Sequence, residues 1–366
     1  MSFFEAAEST PPFDGGISES SDGLDSLRPD VRDYTRSVDA LVIAPDDVSA
    51  LGHLDRARIA LAVAIANNSA PLVERFSARL AELDDADGAA LVGDSERWSA
   101  FGQPTEALLD HAELMALDPD DAGLDEIAHL TGLGIGAATI VAASQVVAYV
   151  SYLARLLQGM AAIREAEGAH VSADDRAAPA FASTLGAEES AFPVYTWVPA
   201  VPPAAIPGAA GADEKTPAKW SPFYLTLLHD PRVLEERTAL YNAIMTGTGS
   251  LDRADRELAA LGTSLVTGCE YCASVHGRRQ VQLSKDADTA VALARSGPSV
   301  LVDARQRAIV AVAASAAVTP PAIDSSDIAL LREVGLDDEA VRDLIAVAAM
   351  FAWANRLMMT LGSATL

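Results

Sequence analysis

A chain of 366 residues is too long for one ordinary core and suggests two or three domains. Half of it is hydrophobic, 21% charged and only 5% aromatic, a mixture that favours helices over strands, so the expected fold class is all-α. Its 52 acidic residues against 26 basic ones give a net charge of −26, which repels phosphate backbones and anionic lipid; neither nucleic acid nor a membrane is an expected partner.

Residues 1–27 are rich in Ser, Asp, Glu, Gly and Pro and are expected to form a flexible tail. No basic stretch followed by an apolar one opens the chain, and two cysteines are too few for a secreted disulfide scaffold, so the expected location is cytoplasmic. Residues 28–165 carry helical patterns and end in Ile135–Leu157, which is long and apolar enough to pass for a membrane span. Residues 166–215 read as a Pro/Gly-rich linker or a strap over the surface, because the run from Pro199 to Pro217, with Pro202, Pro203, Pro207, Gly208 and Gly211 between, cannot be a helix.

Helical patterns resume over 216–366. Asp230-Pro231 starts a helix that Gly247–Gly249 ends. Ser250 or Asp252 caps the next, running to about Val266 before Gly268 interrupts. A helix through Gln282 follows, then one over 286–297 and one from Asp303 stopped by Pro320-Pro321. A short one over Asp327–Val334 ends at Gly335, and Asp337 caps the last, to about Leu361.

The two helical regions resemble each other. Leu133–Leu156 pairs with Val334–Leu357, matching Gly134 with Gly335, Tyr152 with Trp353 and Arg155 with Arg356 at an offset of 201. Leu54–Ala70 resembles Ala254–Cys269 at an offset near 199. Matching segments in one order imply a tandem duplication. They also answer the membrane question, because the second copy of the apolar helix carries Asp337, Asp338, Glu339, Arg342 and Asp343, which a span would not tolerate cheaply.

Both cysteines lie in one short stretch, Gly268–Gly277, "GCEYCASVHG". Cys269 and Cys272, three apart on a helix, share a face and can close a disulfide. The helix start after Gly268 would stabilise a thiolate. His276, four residues beyond Cys272, lies on the same face as a base or proton relay. Glu257, twelve residues before Cys269, would be roughly 18 Å away on one straight helix, and joins the site only if the chain turns back near Thr267–Gly268. A zinc site would need a fourth ligand beside Cys269, Cys272 and His276, so no metal or other cofactor is expected. His53, His111, His129, His170 and His229 have no motif around them.

The pattern Glu257, Cys269, Cys272, His276 resembles the alkylhydroperoxidase D / carboxymuconolactone decarboxylase superfamily, closest over 216–366, and "FAWANRLMMTLG" near the end is similar to its peroxidase-related branch. The resemblance implies an all-helical domain, a homo-oligomer (a trimer of tandem chains, or a dimer), and a thiol peroxidase acting on a hydroperoxide. It implies Cys272 as the peroxidatic thiol, Cys269 as its resolving partner, Glu257 and His276 as the proton relay, and a dithiol or lipoyl-type reductant. Tyr271 stands where founding members have histidine, removing one relay member. Two other readings remain: a redox-sensing or scaffold protein whose disulfide forms without cycling, and a lactone decarboxylase, a chemistry of superfamily members without the cysteines. Through the offset of 199, Arg58 stands for Glu257, Ala70 for Cys269, Val73 for Cys272 and Ser77 for His276, so residues 28–165 read as a degenerate copy retained for assembly.

Overall fold

The computed structural model describes residues 23–166, 181, 192–204 and 221–366. Much of the expected tail and linker, with Pro207, Pro217, Trp220 and His170, lies outside these described residues. The chain is all-α but for one short ribbon.

The first series of helices is α1 (Pro29–Ile43), α2 (His53–Ala66), α3 (Ala70–Glu82), α4 (Gly88–Val92), α5 (Gln103–Leu117), α6 (Leu124–Gly132) and α7 (Ala137–Glu165). Strand β1 (Thr196–Pro199) and the short α8 (Pro222–Leu227) follow. The second series is α9 (Pro231–Thr246), α10 (Arg253–Thr267), α11 (Glu270–Ser284), α12 (Ala287–Ser296), α13 (Ala304–Ala317), α14 (Ser325–Glu333) and α15 (Asp338–Thr360), closed by β2 (Gly362–Thr365). Asp230, Asp286, Asp303, Asp324 and Asp337 each accept a backbone N–H at a helix start, which is why the second half's helices begin where acidic residues precede apolar runs.

Each helix of the first series has its counterpart starting 199 to 202 residues later, and two counterpart pairs pack on each other: α1 on α9 and α7 on α15. Only a two-fold relation places copies face to face in this way. Arg155 and Arg356 show it most directly. Arg155 Nη2 donates to the carbonyl of Ala317 at 3.1 Å and Arg356 Nη2 to that of Ala116 at 2.8 Å, each reaching the same point in the opposite half. Both also donate to Thr319 Oγ1, at 2.8 and 2.7 Å. Tyr149, Tyr152 and Trp353 stack in this seam, with ring centroids 5.4 to 6.1 Å apart. The apolar helix α7 is the seam's centre; its most apolar stretch is wholly buried inside the protein.

Three expectations need correction. The tail was expected to run through residue 27, but Leu24 and Leu27 are buried and residues 24–26 form a 3₁₀ turn. The region 166–215 contains order: Phe192, Trp197 and Val201 are buried, and β1 pairs antiparallel with β2, Trp197 opposite Ala364. The offset near the cysteines is 200, not 199. Arg56 donates from Nε to Leu51 O and from Nη1 to Val42 O; Arg256 donates from Nε to Leu251 O and from Nη1 to Ile244 O. Ser69 N–H bonds Ala64 O as Cys269 N–H bonds Ser264 O, both at 3.0 Å. The counterparts of Glu257, Cys269, Cys272 and His276 are therefore Ala57, Ser69, Leu72 and Phe76 rather than Arg58, Ala70, Val73 and Ser77. Alanine-rich helices slide by a residue without a penalty visible in sequence, and the marker glycine is missing because Asn68, at φ 50°, holds the turn that Gly268 makes at φ 83°.

Candidate functional site

Gly268 ends α10 in the left-handed region and reverses the chain, so α10 and α11 pack as an antiparallel hairpin. The turn removes the separation that a straight helix would impose between Glu257 and the cysteines. Cys269 is the N-cap of α11 and Cys272 lies in its first turn; both are buried free thiols. His276, one turn further along α11, meets Glu257 across the hairpin, with Nδ1 to Oε2 at 2.6 Å. Arg253, one turn earlier on α10, donates from Nε and Nη2 to Glu257 Oε1, both at 3.1 Å. All four residues singled out from the sequence thus belong to one hairpin.

Glu257 is 1% exposed. Burial alone would raise its carboxyl, but the hydrogen bond and charge of His276 and Arg253 outweigh it and hold the group below the usual glutamate range. An ionised carboxylate only accepts, so the shared proton sits on His276 Nδ1 and Nε2 is the ring nitrogen available for proton transfer. The edge of the ring rests on Phe351, centroids 4.4 Å apart, which fixes its plane. Burial pushes the Cys272 thiol well up, the adjacent Cys269 adds to the rise, and the Arg237 guanidinium opposes it. At neutral pH Cys272 is therefore a protonated thiol beside a positioned base.

Arg237 is the residue that sequence reading missed. It is buried on α9, packed against Phe223 and Trp353. The signal is present: Val233, Leu234, Arg237 and Leu240 form one apolar face, and an arginine at a core position on that face is costly unless it serves something. Tyr241, near Glu257 and Cys272, packs on Phe351 and has its hydroxyl pushed well up by burial.

The strap of 192–204 covers the hairpin. Phe192 lies against Gly277, where a Cβ would meet its ring, and Ser274 Oγ bonds the Pro193 carbonyl. Trp197 Nε1 donates to Met358 O at 2.8 Å, tying the strap to α15. Beside the strap lies a cavity of about 560 Å³ whose wall includes Cys269, Glu270 and Tyr271 from the hairpin, Trp197 from the strap, and Asp118 and Asp120 from the first half. Cys272 and His276 are not part of that wall. A smaller cavity of about 260 Å³ occupies the corresponding place in the first half, where Ser69, Ala70 and Pro71 stand for Cys269, Glu270 and Tyr271.

An all-helical hairpin domain with paired thiols and a glutamate–histidine couple defines an alkylhydroperoxidase-like class of protein. Residues 231–300, which contain Glu257, Cys269, Cys272 and His276, match the carboxymuconolactone decarboxylase family, so this segment is a domain of that family. Two solved structures are similar over part of the chain. One is an uncharacterized peroxidase-related protein from Silicibacter sp. TM1040, 29% identical, covering 37% of this chain and 72% of that one, with a TM-score of 0.35. The other is an uncharacterized peroxidase-related protein with an alkylhydroperoxidase AhpD core from Ralstonia eutropha JMP134, 30% identical, covering 36% and 70%, with a TM-score of 0.34. No curated protein matches the chain.

Proposed function

We propose that the second half is a thiol-dependent peroxidase and that the cysteine-free first half is a structural partner. The observation that carries this is the Glu257–His276 contact at 2.6 Å in the same hairpin as two buried free thiols. Lactone decarboxylation has no use for the thiol pair.

The Cys272 thiol gives its proton to His276 Nε2 while Glu257 holds the resulting imidazolium. The thiolate attacks one oxygen of the hydroperoxide; the O–O bond breaks, the alkoxide takes the proton from His276 and leaves as an alcohol, and Cys272 becomes a sulfenic acid. Cys269 sulfur attacks Cys272 sulfur, and the displaced hydroxide leaves as water with the Cys269 proton. An external dithiol then returns two electrons and two protons to the pair. The balance is hydroperoxide plus dithiol to alcohol, water and the oxidised dithiol.

The test is thiol titration after one equivalent of cumene hydroperoxide. The wild type should lose both thiols, Cys269→Ser should accumulate a sulfenic acid, and Cys272→Ser should stay inert. A wild type that keeps its thiols for hours would overturn the peroxidase. A single oxidation that added dithiol does not reset would leave a redox sensor.

A further inference from the structure

The two sulfurs face different surroundings. Cys272 is buried outside the wall of the cavity between the halves, with the Arg237 guanidinium as its charged neighbour, whereas Cys269 forms part of that wall. We infer that reductant attacks the disulfide at Cys269 from this cavity, and that Asp118 and Asp120 of the cysteine-free half select an uncharged or cationic dithiol over an anionic one. The inference rests on the redox pairing of Cys269 with Cys272 and assigns the first half a part in it.

The cavity is large enough for a small dithiol, and its mouth is acidic: Asp118, Asp120 and Glu270 are exposed, and among the described residues no lysine, arginine or histidine is in its wall. Asp118 follows the end of α5 and Asp120 lies in the loop to α6, so both are held by backbone geometry of the first half rather than by the hairpin. The two-fold seam puts that loop against the end of α15, where Gly123 approaches the Met359 carbonyl. Among the described residues no arginine, lysine or histidine forms an ion pair with Asp118, Asp120 or Glu270, whereas Asp39, Asp343 and Glu257 elsewhere are each engaged by arginine. An anionic reductant therefore meets three carboxylates on its approach, and a cationic one is attracted.

In the step, a thiol of the dithiol passes its proton through solvent to His276 and attacks Cys269 Sγ as the thiolate; the protein S–S bond breaks, and Cys272 leaves and takes that proton from His276. The second thiol of the reductant then attacks its own sulfur in the mixed disulfide, closing a ring and releasing Cys269. Two electrons pass from dithiol to protein, and the two dithiol protons end on Cys269 and Cys272.

The test uses the full chain oxidised with diamide, which needs no peroxide. Reduction is followed by tryptophan fluorescence or thiol release with three dithiols that can each close a cyclic disulfide: neutral dithiothreitol, anionic dihydrolipoate and cationic dithiobutylamine. Against the wild type, Asp118→Asn/Asp120→Asn should speed the anionic dithiol by about 3- to 10-fold, slow the cationic one by a similar factor and leave dithiothreitol within about 2-fold. The variant Asp94→Asn/Glu96→Gln removes two charges near the far end of α5, roughly 20 Å away by helical rise, and should move none of the three. Equal shifts for both variants would assign the effect to total charge and overturn the inference, as would identical rates for all three dithiols in wild type and variants. Should the asparagine variant be poorly folded, a wild-type mixed disulfide trapped with a monothiol and mapped to Cys272 rather than Cys269 would overturn it as well. Failure of diamide to join the cysteines overturns both readings; a disulfide that dithiols reduce but peroxide never forms removes the peroxidase alone.

Discussion

The hairpins α2–α3 and α10–α11 share a backbone course but only a handful of side chains. Both have a buried arginine that ties the preceding loop, Arg56 in one and Arg256 in the other, and both turn through a left-handed residue, Asn68 or Gly268. Where the second carries Glu257, Cys269, Cys272 and His276, the first carries Ala57, Ser69, Leu72 and Phe76. Leu72 and Phe76 are 2% and 1% exposed, so the first half has filled with hydrocarbon the space that the second leaves to a thiol and an imidazole. Burying polar groups costs stability unless each finds a partner. The first half avoids that cost, and the second meets it with a closed chain of Arg253, Glu257 and His276.

The sharpest way to test this contrast is to give the second hairpin the first one's residue. His276→Phe should lower peroxide-dependent thiol loss by about 10²- to 10⁴-fold while leaving helicity intact, because Phe76 shows that the fold accepts the ring. Rate in the wild type should rise from pH 6 to 9, since burial holds Cys272 protonated, and the rise should steepen in His276→Phe, where only hydroxide can make the thiolate. Stopped-flow rates across that pH range would settle both; a slope unchanged by the substitution would remove His276 from the relay.

Glu257→Ala recreates Ala57 and should cost about 10- to 100-fold in rate, with the imidazole left unoriented. It should also lower stability at neutral pH. Because the folded state holds this carboxyl below its ordinary range, its contribution is present at neutral pH and is lost as pH falls through and below that range. The stability gap between wild type and Glu257→Ala, read by urea unfolding, should therefore close on acidification; a constant gap would mean that the ion pair contributes nothing.

The seam supplies a comparison at equal footing. Arg155→Met and Arg356→Met should each destabilise by about 2–4 kcal/mol, because each strands buried carbonyls in the opposite half. Arg155 also donates to Asn67 at 2.8 Å and should be the costlier. Burial lowers both guanidiniums, Arg356 to about 10, and neither forms an ion pair with a carboxylate among the described residues. The smallest effect is expected at the turn. Gly268→Asn copies Asn68 and should cost a few tenths of a kcal/mol, whereas Gly268→Val should cost about 1–2 kcal/mol in the left-handed region. Equal melting temperatures for the two variants would contradict the turn assignment.

The helix boundaries of the second half were legible because they depend on neighbours in sequence. Asp230, Asp337 and Gly335 each mark an end through a cap or a left-handed turn completed within a few residues. The redox motif was legible for the same reason, since Cys269, Cys272 and His276 occupy little more than two turns of one helix. The ribbon was not legible, because β1 finds its partner 160 residues away and four residues carry too little alternation to announce a strand. Nor was the one-residue register of the first hairpin, which depends on arginine bonds to distant carbonyls. Sequence alone determined the helical class, most of the second half's helix starts and the four side chains proposed to carry the chemistry. Tertiary structure decided that Glu257 meets His276, that Arg237 lies by Cys272, and that the first half's loop walls the cavity at Cys269, because those contacts depend on a chain reversal and a two-fold seam that no local pattern encodes.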